Sequence, residues 1–123
     1  MNNPRRANVA GLGLIGGSIA LALRERGWYV TGDDLDLQRI ERALTLGAID
    51  ASGFDRTADM TFVATPVLAI VDQVKRALSD STGLVTDVGS VKSGITAAID
   101  DPRFVGGHPM AGRETTGYLT ADA

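Results

Sequence analysis

Three glycines stand at the spacing that allows a turn to hold a phosphate. Gly11, Gly13 and Gly16 follow a short apolar run, and a helical pattern begins directly after the second of them. The first glycine of such a turn permits a tight bend, the second lets a pyrophosphate approach the backbone, and the third lets the helix pack closely on a sheet. The N–H groups of the first helical turn, including Leu14 and Ile15, then face the phosphates. The pattern predicts a dinucleotide site.

A carboxylate in the following strand distinguishes two cofactors. Asp34 follows the glycines by about 20 residues, where a carboxylate that binds the ribose belongs. A carboxylate accepts a hydrogen bond from the ribose 2′-hydroxyl and repels a 2′-phosphate, so NAD is predicted and NADP is disfavoured. Asp33 and Asp36 add to this repulsion, although Asp36 is also the favoured cap of the next helix. Arg39 lies further along and could turn back, which keeps the preference incomplete.

Two later segments hold residues that could react. Ser90 lies in the run DVGSVK, at the carboxyl end of a predicted strand, which is where open α/β sheets bind ligands. Its hydroxyl either caps the following helix or points into the cleft, and both interpretations stay open. His108 is the only histidine of the chain. A lone histidine is often structural or exposed, but a position among small residues after a strand favours a reacting group.

Alternating strands and helices must position these residues. Thr65 and Pro66 predict a helix cap followed by a proline in the first helical position. The predicted strands cover residues 8–10, 28–31, 60–64, 84–86 and 104–105, and the predicted helices cover 14–26, 37–46, 66–78 and 90–99. In the first helix, the side chains expected to face the core are Ile15, Ile19, Leu21, Ala22 and Leu23. The alternation predicts a Rossmann-type, doubly wound α/β fold, with a mostly parallel sheet and helices on both faces.

Composition narrows the class of protein. The 123 residues suit one domain, residues 1–123, and the apolar fraction of 44% is normal for a globular protein. The net charge of −3 and the lack of a basic run argue against nucleic acid as a partner. No apolar stretch is long enough to span a bilayer, so no membrane partner is expected. Without cysteine, disulfides and cysteine-based metal sites are excluded. A cytoplasmic protein that acts on a small molecule is expected.

Four motifs in order along the chain give a more specific resemblance. They are GLGLIGGS, the TP pair at 65–66, DVGSVK and GGHPMAGRETTG, and they span Val9 to about Asp122. Together they resemble the prephenate dehydrogenase family, including its arogenate and cyclohexadienyl relatives. GLGLIGGS alone also fits other dehydrogenases, whereas HPMAG combined with GSVK is far more specific. The resemblance implies oxidative decarboxylation of prephenate to 4-hydroxyphenylpyruvate, with hydride transfer to NAD+, in tyrosine biosynthesis.

The resemblance also implies roles for individual residues. His108 matches the catalytic histidine that accepts a hydrogen bond from the ring hydroxyl of the substrate. Ser90 matches the serine that holds the same hydroxyl and orients the imidazole. Glu114 matches a glutamate near the substrate entrance, although a surface carboxylate is an equal interpretation. Thr65 and Pro66 match the loop beside the nicotinamide end of the cofactor. No metal is required, because aromatisation drives the reaction and the cofactor takes the hydride.

The chain departs from the family at its carboxyl end, where family members continue into a helical domain that builds a homodimer. The expectation is therefore a dinucleotide-binding domain that binds NAD and is nearly inactive alone. Two alternatives stay open. One is an arogenate dehydrogenase that forms tyrosine directly, and the other is a non-catalytic NAD-binding module.

Overall fold

A six-stranded parallel sheet forms the centre of the structure. The computed structural model describes residues 4–88, 99 and 101–106. Its strands are β1 (Arg6–Ala10), β2 (Tyr29–Asp33), β3 (Ala51–Ser52), β4 (Met60–Val63), β5 (Leu84–Asp87) and β6 (Phe104–Val105). The helices within this part of the chain are α1 (Leu14–Glu25), α2 (Leu37–Leu46) and α3 (Val67–Asp80).

The strand order places a crevice at the middle of the sheet. The order is β3-β2-β1-β4-β5-β6, so the chain moves outward from β1 to β3 and then returns to the other side of β1. Ligands of open α/β sheets bind at such a reversal, outside the carboxyl ends of the strands. Here the reversal lies between β1 and β4, and the loops that follow these two strands flank it. The predicted Rossmann-type fold is confirmed.

Helices cover both faces of the sheet, and each face has its own apolar core. Along β1, Val9 joins the core under α1 and α2, whereas Ala10 joins the core under α3. The first core contains Val9, Leu12, Ala20, Val30, Ala43, Ala48 and Ile49. The second contains Ala10, Val63, Ile70, Val74, Ala77, Val85 and Ile99. Each fully buried valine or isoleucine contributes about 1.5–3 kcal/mol, so the sheet is held firmly from both sides.

Helix α1 contacts the sheet through its smallest residues. Gly16 and Ala20 are its buried positions, and Ile19 and Leu23 are partly buried beside them. The prediction that Ile15, Leu21 and Ala22 face the core was wrong, because all three are exposed, as is Leu14. The small residues bring the helix axis close to the sheet, and this rotates the larger side chains of the first turn away from it. Leu14 and Ile15 therefore lie at the rim of the crevice.

Two further predictions about the elements need correction. Strand β3 was not predicted, because it has only two residues and therefore shows no apolar alternation. Thr65 was predicted to cap α3, whereas the N-cap is Pro66 and none of the described side chains caps this helix. The boundaries of α2 were predicted correctly, and its C-cap Gly47 has the left-handed φ of 76° expected of a helix stop.

A buried polar cluster ties the segment before β4 to the centre of the sheet. Asn8 is only 2% exposed, and its amide nitrogen donates to Thr61 Oγ1 at 3.2 Å and to the carbonyl oxygen of Asp55 at 2.8 Å. Its amide oxygen accepts from the backbone N–H of Asp55 at 2.7 Å. Burial alone would raise the pKa of the Asp55 carboxyl, but hydrogen bonds from Thr57 and from Arg6 outweigh it and hold this pKa below its ordinary value.

Candidate functional site

A cavity of about 770 Å³ opens at the carboxyl edge of the sheet. Its size lies within the range of small-molecule and cofactor sites. Loops after three neighbouring strands, β1, β2 and β4, form most of its wall, and α3 closes one side. The lining residues are Ala10, Gly11, Gly13, Leu14, Ile15, Asp33, Asp34, Leu35, Asp36, Arg39, Ala64, Thr65, Pro66, Ala69, Gln73 and Arg76.

The glycine turn is packed so tightly that two of its positions admit no side chain. Gly11 has a φ of 101°, and a Cβ added there would lie 2.6 Å from the carbonyl oxygen of Ala64. Its N–H donates to the carbonyl oxygen of Asp33 at 2.9 Å, which attaches the turn to the end of β2. A Cβ at Gly16 would collide with the carbonyl oxygen of Gly11. The turn is thus fixed between β2 and the loop after β4.

Gly13 differs, because its free side faces the cavity. The atoms nearest to a Cβ added at Gly13 belong to the Arg39 side chain, at 3.5 and 3.9 Å. Gly13 is the N-cap of α1, whose first turn has no acidic residue and accepts no cap from any side chain in the described part of the chain. By contrast, Asp36 caps α2 by accepting from the N–H of Gln38 at 2.9 Å, as predicted. The first N–H groups of α1 are therefore available to an anion.

Asp34 has a structural role that the sequence analysis missed. Its side chain is only 9% exposed. Its Oδ2 accepts from the N–H of Leu12 at 2.7 Å, and its Oδ1 accepts from the N–H of Asp36 at 2.8 Å. The carboxylate thus connects the glycine turn to the loop before α2. A carboxylate has about four lone-pair sites, so these two bonds leave room for ribose hydroxyls. Sequence spacing identified the residue but gave no signal for these backbone contacts.

Two arginines partly neutralise the three aspartates beside the cavity. Arg39 does turn back: its Nη1 lies 3.6 Å from Asp34 Oδ2, and its Nε lies 3.9 Å from Asp36 Oδ2. Arg76 approaches from α3, with its Nη1 4.0 Å from Asp33 Oδ2. Arg76 was not predicted at this site, because nothing local in the sequence places α3 opposite the end of β2. The net negative charge beside the cavity is therefore smaller than the three neighbouring aspartates of the sequence indicate.

The hydroxyl of Thr65 is a buried polar group beside the cavity. Thr65 Oγ1 is buried, yet it forms no hydrogen bond to any residue in the described part of the chain. Buried hydroxyls are nearly always hydrogen-bonded, and leaving one unpaired costs about 1–3 kcal/mol. Because Thr65 and Pro66 line the cavity beside the glycine turn, rotation of the Thr65 side chain would let a ligand there supply a partner. The glycine turn, the uncapped α1 and this hydroxyl fit a dinucleotide.

The structure brings the predicted cofactor-binding residues to one place. Seven of them line the cavity directly: Gly11, Gly13, Leu14, Ile15, Asp34, Thr65 and Pro66. Gly16 lies behind the turn. Ser90, His108 and Glu114, the predicted catalytic and substrate-binding residues, lie outside the described residues. The strands that precede them, β5 and β6, are parallel to their neighbours and end at the same edge, at Asp87 and Val105.

Comparison with known proteins decides the family. Residues 19–123 match the family described as "Prephenate dehydrogenase, nucleotide-binding domain". The chain belongs to the prephenate dehydrogenase family. The resemblance predicted from the motifs is confirmed. The prephenate dehydrogenase of Bacillus subtilis is 38% identical, over 92% of this chain and 34% of that protein.

Two solved structures of this family share the fold. Arogenate dehydrogenase from Synechocystis is 36% identical with a TM-score of 0.71, over 84% of this chain and 40% of that one. Prephenate dehydrogenase from Aquifex aeolicus, in complex with hydroxyphenyl propionate and NAD+, is 31% identical with a TM-score of 0.74, over 92% of this chain and 44% of that one.

The chain spans about a third of the length of the curated prephenate dehydrogenases that it matches. Within the described residues, no helix has both the length and the apolar character needed to cross a membrane.

Proposed function

We propose that this chain binds NAD+ as the nucleotide-binding domain of a prephenate dehydrogenase, which converts prephenate to 4-hydroxyphenylpyruvate by oxidative decarboxylation. The observation that carries the proposal is the glycine turn, which has no room for side chains at Gly11 and Gly16 and opens α1 without a side-chain cap. A pyrophosphate on this turn would accept hydrogen bonds from the first N–H groups of α1 and would gain from the helix dipole.

The remaining lining residues suit the other parts of the dinucleotide. Asp34 keeps free lone pairs for the hydroxyls of the adenosine ribose, and it is already held in place by two backbone N–H groups. The buried Thr65 hydroxyl would gain a hydrogen-bond partner. When bound, NAD+ supplies the acceptor for the hydride. The Aquifex aeolicus relative, whose structure holds NAD+, supports the same cofactor here.

The substrate end of the site rests on family resemblance. In this proposal, His108 accepts a hydrogen bond from the ring hydroxyl of the substrate, which requires a neutral imidazole. Ser90 holds the same hydroxyl and orients the imidazole, and Glu114 lies near the substrate entrance. The ends of β5 and β6 support this arrangement, because they lie at the same edge of the sheet as the cavity and the segments that carry Ser90 and His108 follow them in the chain.

Arogenate is the second candidate substrate, and the 36% identity to the Synechocystis arogenate dehydrogenase favours keeping it. The two substrates differ only in the amino group that arogenate carries on its side chain. We further propose that the enzyme is cytoplasmic and acts as a homodimer that associates through the family's helical domain. This part of the proposal rests on the family alone.

Calorimetric titration with NAD+ tests the binding proposal. We expect NAD+ to bind the chain and Gly13→Ala to weaken that binding by about tenfold or more, since a methyl group would stand where the pyrophosphate approaches. Gly13 has a φ of −75°, and its added Cβ meets only the Arg39 side chain, so the variant should fold. Gly17→Ala is the matched control, because Gly17 does not line the cavity. A folded chain without affinity for NAD+ would refute the proposal.

Turnover tests the proposed chemistry separately from binding. The absorbance of reduced nicotinamide is followed with prephenate and with arogenate as substrate. We expect His108→Asn to abolish turnover when this domain is joined to the family's helical domain, while NAD+ affinity stays within about twofold. Retained turnover in this variant would remove His108 from the mechanism. Faster turnover of arogenate than of prephenate would select the second substrate.

A further inference from the structure

We propose that Arg39 provides the contact for a 2′-phosphate, so that the site admits NADP+ as a weaker second cofactor and Arg39 sets the ratio of the two affinities. The inference deepens the proposed dinucleotide function and rests on it. It develops the sequence prediction that Arg39 could turn back toward Asp34, which the structure now shows.

Arg39 lies between the proposed positions of the ribose and the pyrophosphate. Its guanidinium lies between two carboxylates, 3.6 Å from Asp34 and 3.9 Å from Asp36. The same group is also the nearest neighbour of the open side of Gly13. Asp34 is the proposed ligand of the ribose hydroxyls, and Gly13 is the proposed point of pyrophosphate approach. Arg39 therefore stands beside the ribose, where NADP+ carries its additional phosphate.

The guanidinium is also free to reorient. Its distances to Asp34 and Asp36 exceed the 2.7–3.2 Å of an N–H···O hydrogen bond. These are ion pairs without a fixed hydrogen-bond geometry. The side chain is 48% exposed, and a guanidinium has five N–H donors. Arg39 can turn toward a phosphate and form charge-assisted hydrogen bonds without breaking any in the protein.

The second arginine of the cavity is held differently. Arg76 lies over the ring of Phe54, with 4.7 Å between its Cζ and the ring centroid. It also pairs with Asp80 on its own helix at 3.7 Å and with Asp33 at 4.0 Å. Its ion pairs are as long as those of Arg39, so the ring of Phe54 is the contact that distinguishes it and keeps its guanidinium on the α3 side of the cavity. Among the described lining residues, Arg39 is therefore the cation suited to the ribose.

Asp34 does not depend on Arg39 for its position. Both carboxylate oxygens accept backbone N–H bonds, one from Leu12 and one from Asp36. Replacing Arg39 should leave this carboxylate where it is, still able to accept from the hydroxyls of NAD+. The same replacement would leave a 2′-phosphate facing Asp34 and Asp36 without a neighbouring cation. Loss of Arg39 should thus weaken NADP+ binding selectively.

The test compares dissociation constants for NAD+ and NADP+ in Arg39→Gln, Arg39→Lys and the unchanged chain. Arg42→Gln is the control, because it removes the same charge from the same helix. Arg42 is exposed and does not line the cavity. We expect Arg39→Gln to weaken NADP+ about tenfold, the effect of losing one charge-assisted hydrogen bond. NAD+ should change by about twofold or less, and Arg39→Lys, which keeps the charge but loses the planar set of donors, should weaken NADP+ less than Arg39→Gln does.

Four other results of this binding experiment would contradict the proposed role of Arg39. Equal weakening of both nucleotides by Arg39→Gln would mean that Arg39 contacts the shared pyrophosphate, which overturns the inference. An affinity ratio that shifts no more than in Arg42→Gln would overturn it as well. If the unchanged chain binds NAD+ but not NADP+, the inference alone fails. If it binds neither nucleotide although it is folded by circular dichroism, the proposed function fails too.

Discussion

Two neighbouring glycines of α1 allow its packing on the sheet to be tested with single methyl groups. A Cβ at Gly16 would collide with the carbonyl oxygen of Gly11 and lie 3.3 Å from the Cβ of Ala64. A Cβ at Gly17 would meet only the carbonyl oxygen of Leu12, at 3.9 Å, which is an ordinary contact. Neither glycine has a positive φ, so alanine can adopt both backbone conformations.

The two substitutions should therefore change stability in opposite directions. Replacing a helical glycine by alanine gains about 0.5–1 kcal/mol from the reduced freedom of the unfolded chain, and Gly17→Ala should show this gain. Gly16→Ala adds overpacking, which costs about 1–3 kcal/mol. The colliding atom belongs to the backbone and cannot rotate away, so the upper end of this range applies. We expect a net destabilisation of about 2 kcal/mol for Gly16→Ala.

Urea denaturation monitored by circular dichroism measures both free energies of unfolding. The expected difference between the variants is about 3 kcal/mol, several times the error of such measurements. Calorimetric titration should also show weaker NAD+ binding for Gly16→Ala, because α1 must move away from Gly11 and carry the turn with it. If Gly16→Ala were as stable as Gly17→Ala within about 0.5 kcal/mol, the close contact between helix and turn would not exist in solution.

Two other predictions concern carboxylates. Asp34→Asn should lower the free energy of unfolding by about 1–2 kcal/mol, because the amide can accept only one of the two N–H bonds that the carboxylate accepts. Asp33→Asn is the control in the same denaturation assay, because Asp33 is more exposed. Equal effects of the two substitutions would exclude the structural role of Asp34. For Asp55, hydrogen bonds from Thr57 and Arg6 lower the folded-state pKa, so its contribution to stability is complete above its ordinary pKa and is lost as pH falls through the lowered value. In Asp55→Asn the free energy of unfolding should therefore depend less on pH in the acid range. An unchanged midpoint of acid denaturation would contradict this.

The predicted elements of the fold were largely correct where the signal is local. Glycine spacing, apolar runs and helix stops identified β1, α1, α2 and β4, because each depends on a few adjacent residues. The edge strand β3 was missed, since its two residues form a strand only through pairing with Thr31 and Gly32 of β2. Exposure along α1 was predicted wrongly at Ile15 for a similar reason. The size of the residues facing the sheet, rather than the apolar pattern, sets the rotation of this helix.

The site was predicted by position better than by contact. Spacing identified Asp34 and the glycines, and the structure places Asp34, Gly11 and Gly13 around one cavity. It could not reveal that Asp34 holds the glycine turn, that Thr65 lies buried against this turn, or that Arg76 reaches Asp33. Each of these facts joins segments that are distant in sequence, and only the packed sheet brings them together.

The buried Asn8 has a consequence for how the chain avoids misfolding. The parallel strands of the sheet are apolar on both faces, so hydrophobicity alone penalises a shift of one residue only weakly. Asn8 removes this ambiguity, because a shift would turn its amide into the core that contains Val9 and would leave the backbone N–H and C=O of Asp55 unpaired. A polar residue three positions before Gly11 thus penalises a misplaced central strand, and the glycine turn emerges opposite Ala64 as a result.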